Sequence, residues 1–178
     1  MLDAKDDMPA ARVGEGLLRA VEVVDAGRLD PGVAAWIEGK TREAMAVLEA
    51  SGEVRVRVVG DEEMAAAHLR WKGVPGTTDV LTFDLGASPD PERPDTPEGA
   101  SALDADVLVC ADEATRQAKA RGHRAEHELL LYIVHAMLHC LGHDDLDETA
   151  AARMHAEEDR VLQAVGVGVT YARGEGGL

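Results

Sequence analysis

Residues 135–145, HAMLHCLGHDD, have the side-chain types and the spacing of a metal site. His135 and His139 stand four residues apart in an apolar stretch, so on a helix both imidazoles would project from one face. With this spacing one helix can offer two nitrogen ligands to a single metal ion. Zinc accepts histidine or aspartate, and catalytic zinc sites combine three protein ligands with an open position for water. The segment therefore predicts a metal site.

The third ligand has to come from beyond this helix. If the helix continued, His143 would lie roughly 12 Å from His135, at a rise of about 1.5 Å per residue. Metal–nitrogen bonds of about 2 Å forbid that separation. Gly142, however, is typical of a residue that ends a helix, and the turn after it can fold the chain back. His143, Asp144 and Asp145 can each reach the metal in that case, and the spacing does not choose among them.

The same segment excludes one class of zinc enzyme. Zinc peptidases with the motif HExxH carry their general base directly after the first histidine. Here Ala136 follows His135, so no carboxylate occupies that place. The two cysteines, Cys110 and Cys140, form no CxxC pair, and we expect reduced, buried thiols rather than ligands.

The elements around the segment indicate one α/β or α+β domain, over residues 1–178, with a small sheet. The long apolar run predicts a central buried helix at residues 125–141, with the metal site at its end. The other predicted helices span residues 31–51, 61–73, 112–122 and 147–165, and the predicted strands span residues 17–24, 53–59, 78–85 and 106–110. Residues 86–105, rich in Pro, Gly and Asp, predict a flexible surface loop, and residues 173–178 a frayed tail.

Composition and charge limit the classes of function. Hydrophobic residues make up 46% of the 178 residues and aromatic residues only 3%, so the core must consist mainly of Ala, Val, Leu and Met. The net charge of −16 opposes generic nucleic-acid binding, and contact with RNA would need a local basic patch or a metal. No apolar run approaches the roughly 20 residues of a membrane helix. The acidic start MLDAKDDMPA does not predict a signal peptide, so we expect a cytoplasmic protein.

Four segments resemble a known family. HAMLHCLGHDD resembles the HGxLHLxGYDH signature of the YbeY family of bacterial rRNA maturation factors, also described as metal-dependent endoribonucleases. WKGVPGTTDVLTF is similar to the family's YRGKDxPTDVLSF segment, and DADVLVCADEATRQA resembles its LGDIVIS stretch with the helix after it. RMHAEEDRVLQAVG is similar to the family's C-terminal helix. The similar segments follow in order from about residue 53 to residue 166.

The resemblance implies a fold and a ligand set. The fold is a small mixed sheet packed against several helices, with the metal in a cleft. The family's ligands are three histidines spaced H-x3-H-x5-H, and these positions fall on His135, His139 and Asp145. The resemblance therefore implies one zinc ion on these residues, with His143, at the place of the family's tyrosine, as the rival third ligand. Aspartate lowers the net charge of the site by one unit, so the bound water should be less acidic.

A catalytic cation is also implied. The arginine of the family's YRGK falls on Lys72, which would stabilise the phosphate or its developing charge but lacks the bidentate fork of arginine. His68 falls on an asparagine of the family and is either a polar group in the cleft or a solvated helix residue. We expect Asp79 to be structural, bonding backbone groups near the cleft. The remaining histidines are expected on polar helix surfaces: His123, His127 and His155.

The implied function is that of a zinc-dependent, single-strand-specific endoribonuclease. It would act in 3′-end maturation of 16S rRNA and in ribosome quality control, with rRNA, ribosomal particles and ribosomal proteins as partners and no role for DNA. One alternative is a non-catalytic ribosome-associated factor with a structural metal, whose acidic surface contacts basic ribosomal proteins. The other is a zinc hydrolase of a small substrate, which would have a closed pocket rather than an open basic groove.

Overall fold

Four strands and five helices form along residues 18–86 and 101–168, which are the residues described by the computed structural model. The strands are β1 (Arg19–Val24), β2 (Ala50–Val59), β3 (Val80–Asp84) and β4 (Ser101–Cys110). The helices are α1 (Val33–Val47), α2 (Asp61–Lys72), α3 (Ala111–Arg121), α4 (Ala125–Cys140) and α5 (Glu148–Ala164). Among these described residues, no helix is both long and apolar enough to cross a membrane.

The strands form one mixed sheet in the order β1-β2-β4-β3. β1 and β4 both run parallel to β2, and β3 pairs antiparallel with β4 at the edge. Strand residues alternate between two faces because successive side chains point to opposite sides. On one face, Val54, Val56 and Val58 pack into the main core. One mixed sheet of four strands with five helices confirms the predicted α/β (α+β) class.

Helix α4 is the centre of the main core. Ten of its residues are buried, and it packs against β3, β4, α1, α3 and α5. A smaller apolar cluster on the opposite face of the sheet joins α2 to the strands through Met64, Leu81 and Phe83. The predicted central helix at residues 125–141 is therefore confirmed, and it holds both candidate histidines within the framework of the domain.

Three predicted boundaries were wrong because parallel pairing of β2 with β4 overrides local sequence. The first helix ends at Val47 rather than at residue 51, and β2 begins at Ala50. Gly52, expected just past the helix, lies inside β2 with φ near +115°, where an added Cβ would meet the carbonyl oxygen of Leu103 at 2.0 Å. β4 likewise begins at Ser101, so residues 101–105 pair with β2 instead of belonging to the predicted loop. The rest of that loop, residues 87–100, and the predicted tail lie outside the described residues.

Candidate metal centre

The end of α4 determines where the chain goes after the two histidines. The N–H of Gly142 donates to the carbonyl oxygen of His139, and the N–H of His143 donates to that of Leu138, each at 3.0 Å. These two bonds form a Schellman motif, in which the residue after the C-cap takes a left-handed conformation. Gly142 has φ near +90°, which glycine adopts without strain. The chain therefore turns back toward the last turn of α4, as the position of Gly142 predicted.

His135 and His139 each have one ring nitrogen held by a fixed partner. Nδ1 of His135 lies 2.7 Å from Oε1 of Glu158, a fully buried carboxylate on α5. Nδ1 of His139 lies 3.0 Å from the backbone carbonyl oxygen of His143. The two rings are nearly perpendicular, at 88°, with centroids 4.5 Å apart. Both imidazoles are thereby fixed in orientation before any ligand is bound.

These partners determine which nitrogens of the neutral rings carry protons. A carboxylate and a carbonyl oxygen are acceptors only, so Nδ1 of His135 and Nδ1 of His139 must both be N–H donors. In the neutral tautomers so inferred, each Nε2 keeps a free lone pair. The two Nε2 atoms face each other at 3.0 Å. Two lone pairs at that distance repel unless a proton or a metal cation lies between them.

Asp145 supplies a third donor beside this pair. Its Oδ1 lies 3.8 Å from Nε2 of His139, and the donor atoms of His135, His139 and Asp145 all lie within 4.8 Å of one another. The rival residues, His143 and Asp144, are not in this cluster. Both histidines are partly buried, whereas Asp145 is exposed on the segment between α4 and α5.

The charges around His135 also favour a cation. Burial lowers the pKa of His135, but the hydrogen bond with Glu158 and the negative charges of Glu158, Asp145 and Asp79 outweigh this effect. The pKa of His135 is therefore raised above the ordinary value for histidine. In the metal-free protein a proton is held to higher pH at the position where a metal would bind.

A cleft of about 400 Å³ opens beside the two histidines. Lys72, the last residue of α2, lines it together with His135 and His139. Cys140, expected on the far side of the helix, also lines this cleft but does not belong to the donor cluster. Burial raises the pKa of the Cys140 thiol to about 11, so it is protonated at neutral pH and is a poor metal ligand.

The other polar residues considered from the sequence have local partners. Nδ1 of His68 lies 2.9 Å from the carbonyl oxygen of Gly76, so His68 holds the loop after α2. Oδ1 of Asp79 accepts from the N–H of Val80 at 2.8 Å, which agrees with the expected structural role.

The expectation of a polar surface position was wrong for His123. Its side chain is only 6% exposed and lies 2.8 Å from the carboxylate of the fully buried Glu128. A buried carboxylate requires partners, and Arg121 and His123 provide them.

The family of the chain follows from its sequence as a whole. Residues 24–166 match the sequence profile of the family described as Endoribonuclease YbeY. The chain belongs to this family. Proteins named Endoribonuclease YbeY from Mycobacterium tuberculosis and Mycobacterium marinum are 36% and 37% identical to it over 111 residues. Each alignment covers 62% of this chain and 63% or 62% of the relative, so it spans less than two thirds of these proteins.

A solved structure supports the fold. A protein from Thermotoga maritima, determined in solution, superposes with a TM-score of 0.55 over 83% of this chain and 89% of its own. The sequences are 19% identical, so the likeness concerns the fold alone. The mixed sheet with its helices is thus an arrangement that this YbeY-family chain shares with a distant protein.

Sequence reasoning did not identify Glu158, which the structure places against His135. The residue lies in the buried stripe of α5 with Ala150, Met154, Val161 and Leu162. A carboxylate is seldom fully buried unless it is paired. The position of Glu158 among apolar residues at helical spacing was therefore the one sign in the sequence that this carboxylate is buried and paired. The pairing of Glu158 with His135 joins α5 to α4 across 23 residues of the chain. The other carboxylate oxygen of Glu158, Oε2, has no hydrogen-bond partner among the described residues.

Proposed function

We propose that this protein is a zinc-dependent, single-strand-preferring endoribonuclease whose one zinc ion is held by His135, His139 and Asp145. The observation that carries the proposal is the pair of Nε2 atoms facing each other at 3.0 Å, with their Nδ1 atoms engaged elsewhere. Membership of the YbeY family supports the choice of reaction.

The donor set fits zinc in type and nearly in position. Two neutral imidazole nitrogens and one carboxylate oxygen are zinc ligands, and three protein ligands leave one position open. With bonds of about 2 Å, two ligands of one ion cannot be more than about 4 Å apart. The distance from His139 Nε2 to Asp145 Oδ1, 3.8 Å, is near this limit, and all donor atoms of the cluster lie within 4.8 Å of one another. Asp145 would have to move inward by roughly 1 Å, and its exposed segment leaves room for that.

The chain's own residues have separable roles in this proposal. When bound, zinc supplies a Lewis acid for cleavage of the phosphodiester. Glu158 holds the proton on Nδ1 of His135 and so keeps its Nε2 directed into the cleft. The carbonyl of His143 does the same for His139. Lys72, on the wall of the cleft, would neutralise charge on the phosphate.

The proposed substrate is a single strand of rRNA. A cleft of about 400 Å³ is within the size range of small-ligand sites, which suits a short part of one RNA strand. From the family we propose 3′-end maturation of 16S rRNA and ribosome quality control in the cytoplasm, on ribosomal particles. The net charge of −16 disfavours unspecific binding of nucleic acid, so ribosomal proteins would assist the contact.

Cleavage of short RNA by the zinc-loaded protein tests the proposed function. We expect a single-stranded oligonucleotide to be cut and the same sequence in a duplex to be spared. Chelation should abolish the cleavage and added zinc should restore it, because the proposed reaction needs the Lewis acid that zinc supplies. A contaminating ribonuclease that requires no metal would survive chelation. If the zinc-loaded protein cuts neither RNA, autonomous nuclease activity is refuted, and binding to ribosomal particles becomes the next measurement.

Lys72 can be tested by two substitutions. Lys72→Ala should lower kcat/KM for single-stranded RNA by about 10- to 100-fold, since the cleft loses a cation beside the reacting phosphate. Lys72→Arg should retain or exceed wild-type kcat/KM, because a guanidinium forms bidentate bonds with phosphate. Steady-state kinetics on one oligonucleotide compares the three proteins. Equal kcat/KM for wild type and Lys72→Ala would remove Lys72 from the proposed machinery.

A further inference from the structure

The C-terminal turn of α2 exposes an aromatic ring close to the candidate cleft. Trp71 is 57% exposed, and the nearby Leu69 and Val74 are 56% and 46% exposed. The other tryptophan, Trp36, packs against the main core and stacks on His127. Exposure of a single apolar residue needs no explanation, so the neighbours of the Trp71 ring decide whether this is a binding surface.

The ring of Trp71 is held in place by two neighbours. It makes a T-shaped contact with Phe83 of β3, with ring centroids 5.5 Å apart at 75°. The guanidinium carbon of Arg70 lies over the indole, 5.0 Å from its centroid. These contacts fix the ring, while more than half of its surface is open to solvent. An ordered, exposed ring next to a cation is an arrangement that binds unpaired bases.

The chain connects this ring to the histidine cleft. Lys72, which lines the cleft, directly follows Trp71 in α2. On β3, Phe83 lies between Thr82 and Asp84, both of which line the cleft. Because strand side chains alternate, Phe83 and the Trp71 ring that contacts it lie on the face of β3 away from the side chains of Thr82 and Asp84. β3 pairs only with β4 among the described strands, so its other edge lies at the side of the sheet. An RNA strand that contacts both the cleft and Trp71 would cross this edge.

We propose that Trp71, supported by Arg70 and Phe83, is a stacking platform for an unpaired base of the RNA strand. The base would belong to a nucleotide that flanks the one at the zinc site, with Lys72 contacting the phosphate backbone between them. This inference rests on the proposed function and adds the means by which the substrate is bound. Stacking on an aromatic ring requires a base free of its duplex partner, which gives a physical reason for a single-strand preference.

Charge supports RNA as the occupant of this surface. The chain carries 34 acidic against 18 basic residues, so most of its surface repels phosphates. Arg70 and Lys72 nevertheless flank Trp71 at the end of α2, and the first turn of the same helix holds three acidic residues, Asp61, Glu62 and Glu63. Cations beside an exposed ring suit a phosphate chain with a stacked base.

Kinetics of two tryptophan variants test the platform. Trp71→Ala should raise KM for single-stranded RNA by about 10-fold and lower kcat less, since the variant loses the ring on which a base stacks in the bound RNA. Trp71→Phe should recover most of the loss, because it keeps a ring. Trp36→Phe, which changes the tryptophan far from the cleft, is the matched control with unchanged KM. An unchanged KM in Trp71→Ala would overturn the proposal, as would a Trp71→Phe variant no better than the alanine variant.

Fluorescence separates failure of the platform from failure of the proposed function. In zinc-loaded Trp36→Phe protein, Trp71 is the sole tryptophan, and stopped-flow mixing with single-stranded RNA should quench it during binding, before products form. Duplex RNA should quench it far less. Quenching by single strands without any cleavage would leave the platform standing and refute the nuclease function. Cleavage without quenching would refute the platform and leave the nuclease function standing.

Discussion

Alanine in place of His139 or Asp145 is expected to reduce kcat/KM for single-stranded RNA by at least about 1,000-fold. Either change removes one of three donor atoms that lie within 4.8 Å of one another. A catalytic metal stabilises transition-state charge by several kcal/mol, and about 4 kcal/mol corresponds to roughly 1,000-fold in rate. The measurement combines steady-state kinetics with the zinc content per chain, determined for each purified variant.

His143→Ala is the matched control for this experiment. The ring of His143 is outside the donor cluster, and only its backbone carbonyl contacts His139, which alanine preserves. We expect zinc content and kcat/KM within about two- to threefold of wild type, as for other surface substitutions. If His143→Ala loses zinc and Asp145→Ala keeps it, His143 is the third ligand. Full activity in all three variants would show that the cluster is not catalytic.

Glu158→Gln is expected to weaken zinc binding by about 10- to 100-fold without unfolding the protein. Glutamine matches the size of glutamate and can still accept the hydrogen bond from Nδ1 of His135. It lacks the negative charge that makes the imidazole a stronger ligand, and outer partners of metal-bound histidines have effects of this size. Competition with a chromogenic chelator measures the zinc affinity, and circular dichroism reports whether the fold is retained.

The pH dependence of zinc binding distinguishes this role of Glu158 from simple space filling. Zinc must displace the proton that the raised pKa of His135 retains, so zinc affinity should fall as the pH drops through that pKa. Without the carboxylate the pKa of His135 falls, and the fall in affinity should move to lower pH. Glu157→Gln, on the same helix but paired with Arg160, should change neither property. A Glu158→Gln protein with wild-type affinity and pH profile would refute the positioning role.

The helix that holds the histidines was predictable because all of its signals are local. The apolar run LLLYIVHAMLHC and Gly142 indicated a helix at residues 125–141, and α4 agrees with this prediction to within about one residue at each end. The spacing of His135 and His139 places their rings on one face of any helix, whatever the surrounding fold. Their proximity therefore required no knowledge of the sheet.

Spacing limited the third metal ligand to three candidate residues but did not choose among them. His143, Asp144 and Asp145 all follow the helix end, and which side chain returns to His139 depends on the backbone conformation after Gly142. The resemblance to the YbeY family pointed to Asp145, and the structure places Asp145 beside the histidines. Its role as a ligand stays a prediction.

Contacts between distant parts of the chain could not be predicted from the sequence, for a different reason. The pairing of Glu158 with His135 depends on how α5 packs on α4, and the sequence shows only a carboxylate in an apolar stripe. The early starts of β2 and β4 likewise depend on each other, because Ala50 pairs with Ser101 across about fifty residues. Local propensity cannot register an interaction whose partner lies so far away.

The three residues of the candidate centre differ in burial, since His135 and His139 are partly buried and Asp145 is exposed. His135 and His139 project from α4, on which the sheet and three other helices pack, so the backbone that positions their rings is fixed by the core of the domain. Asp145 lies on the connection between α4 and α5, in which residues 142–147 are all exposed. If Asp145 binds the metal as proposed, a change of side chain at this one position alters the charge of the site by a full unit and leaves the packed core unchanged. The acidity of the proposed centre and the packing of the domain would thus depend on different residues.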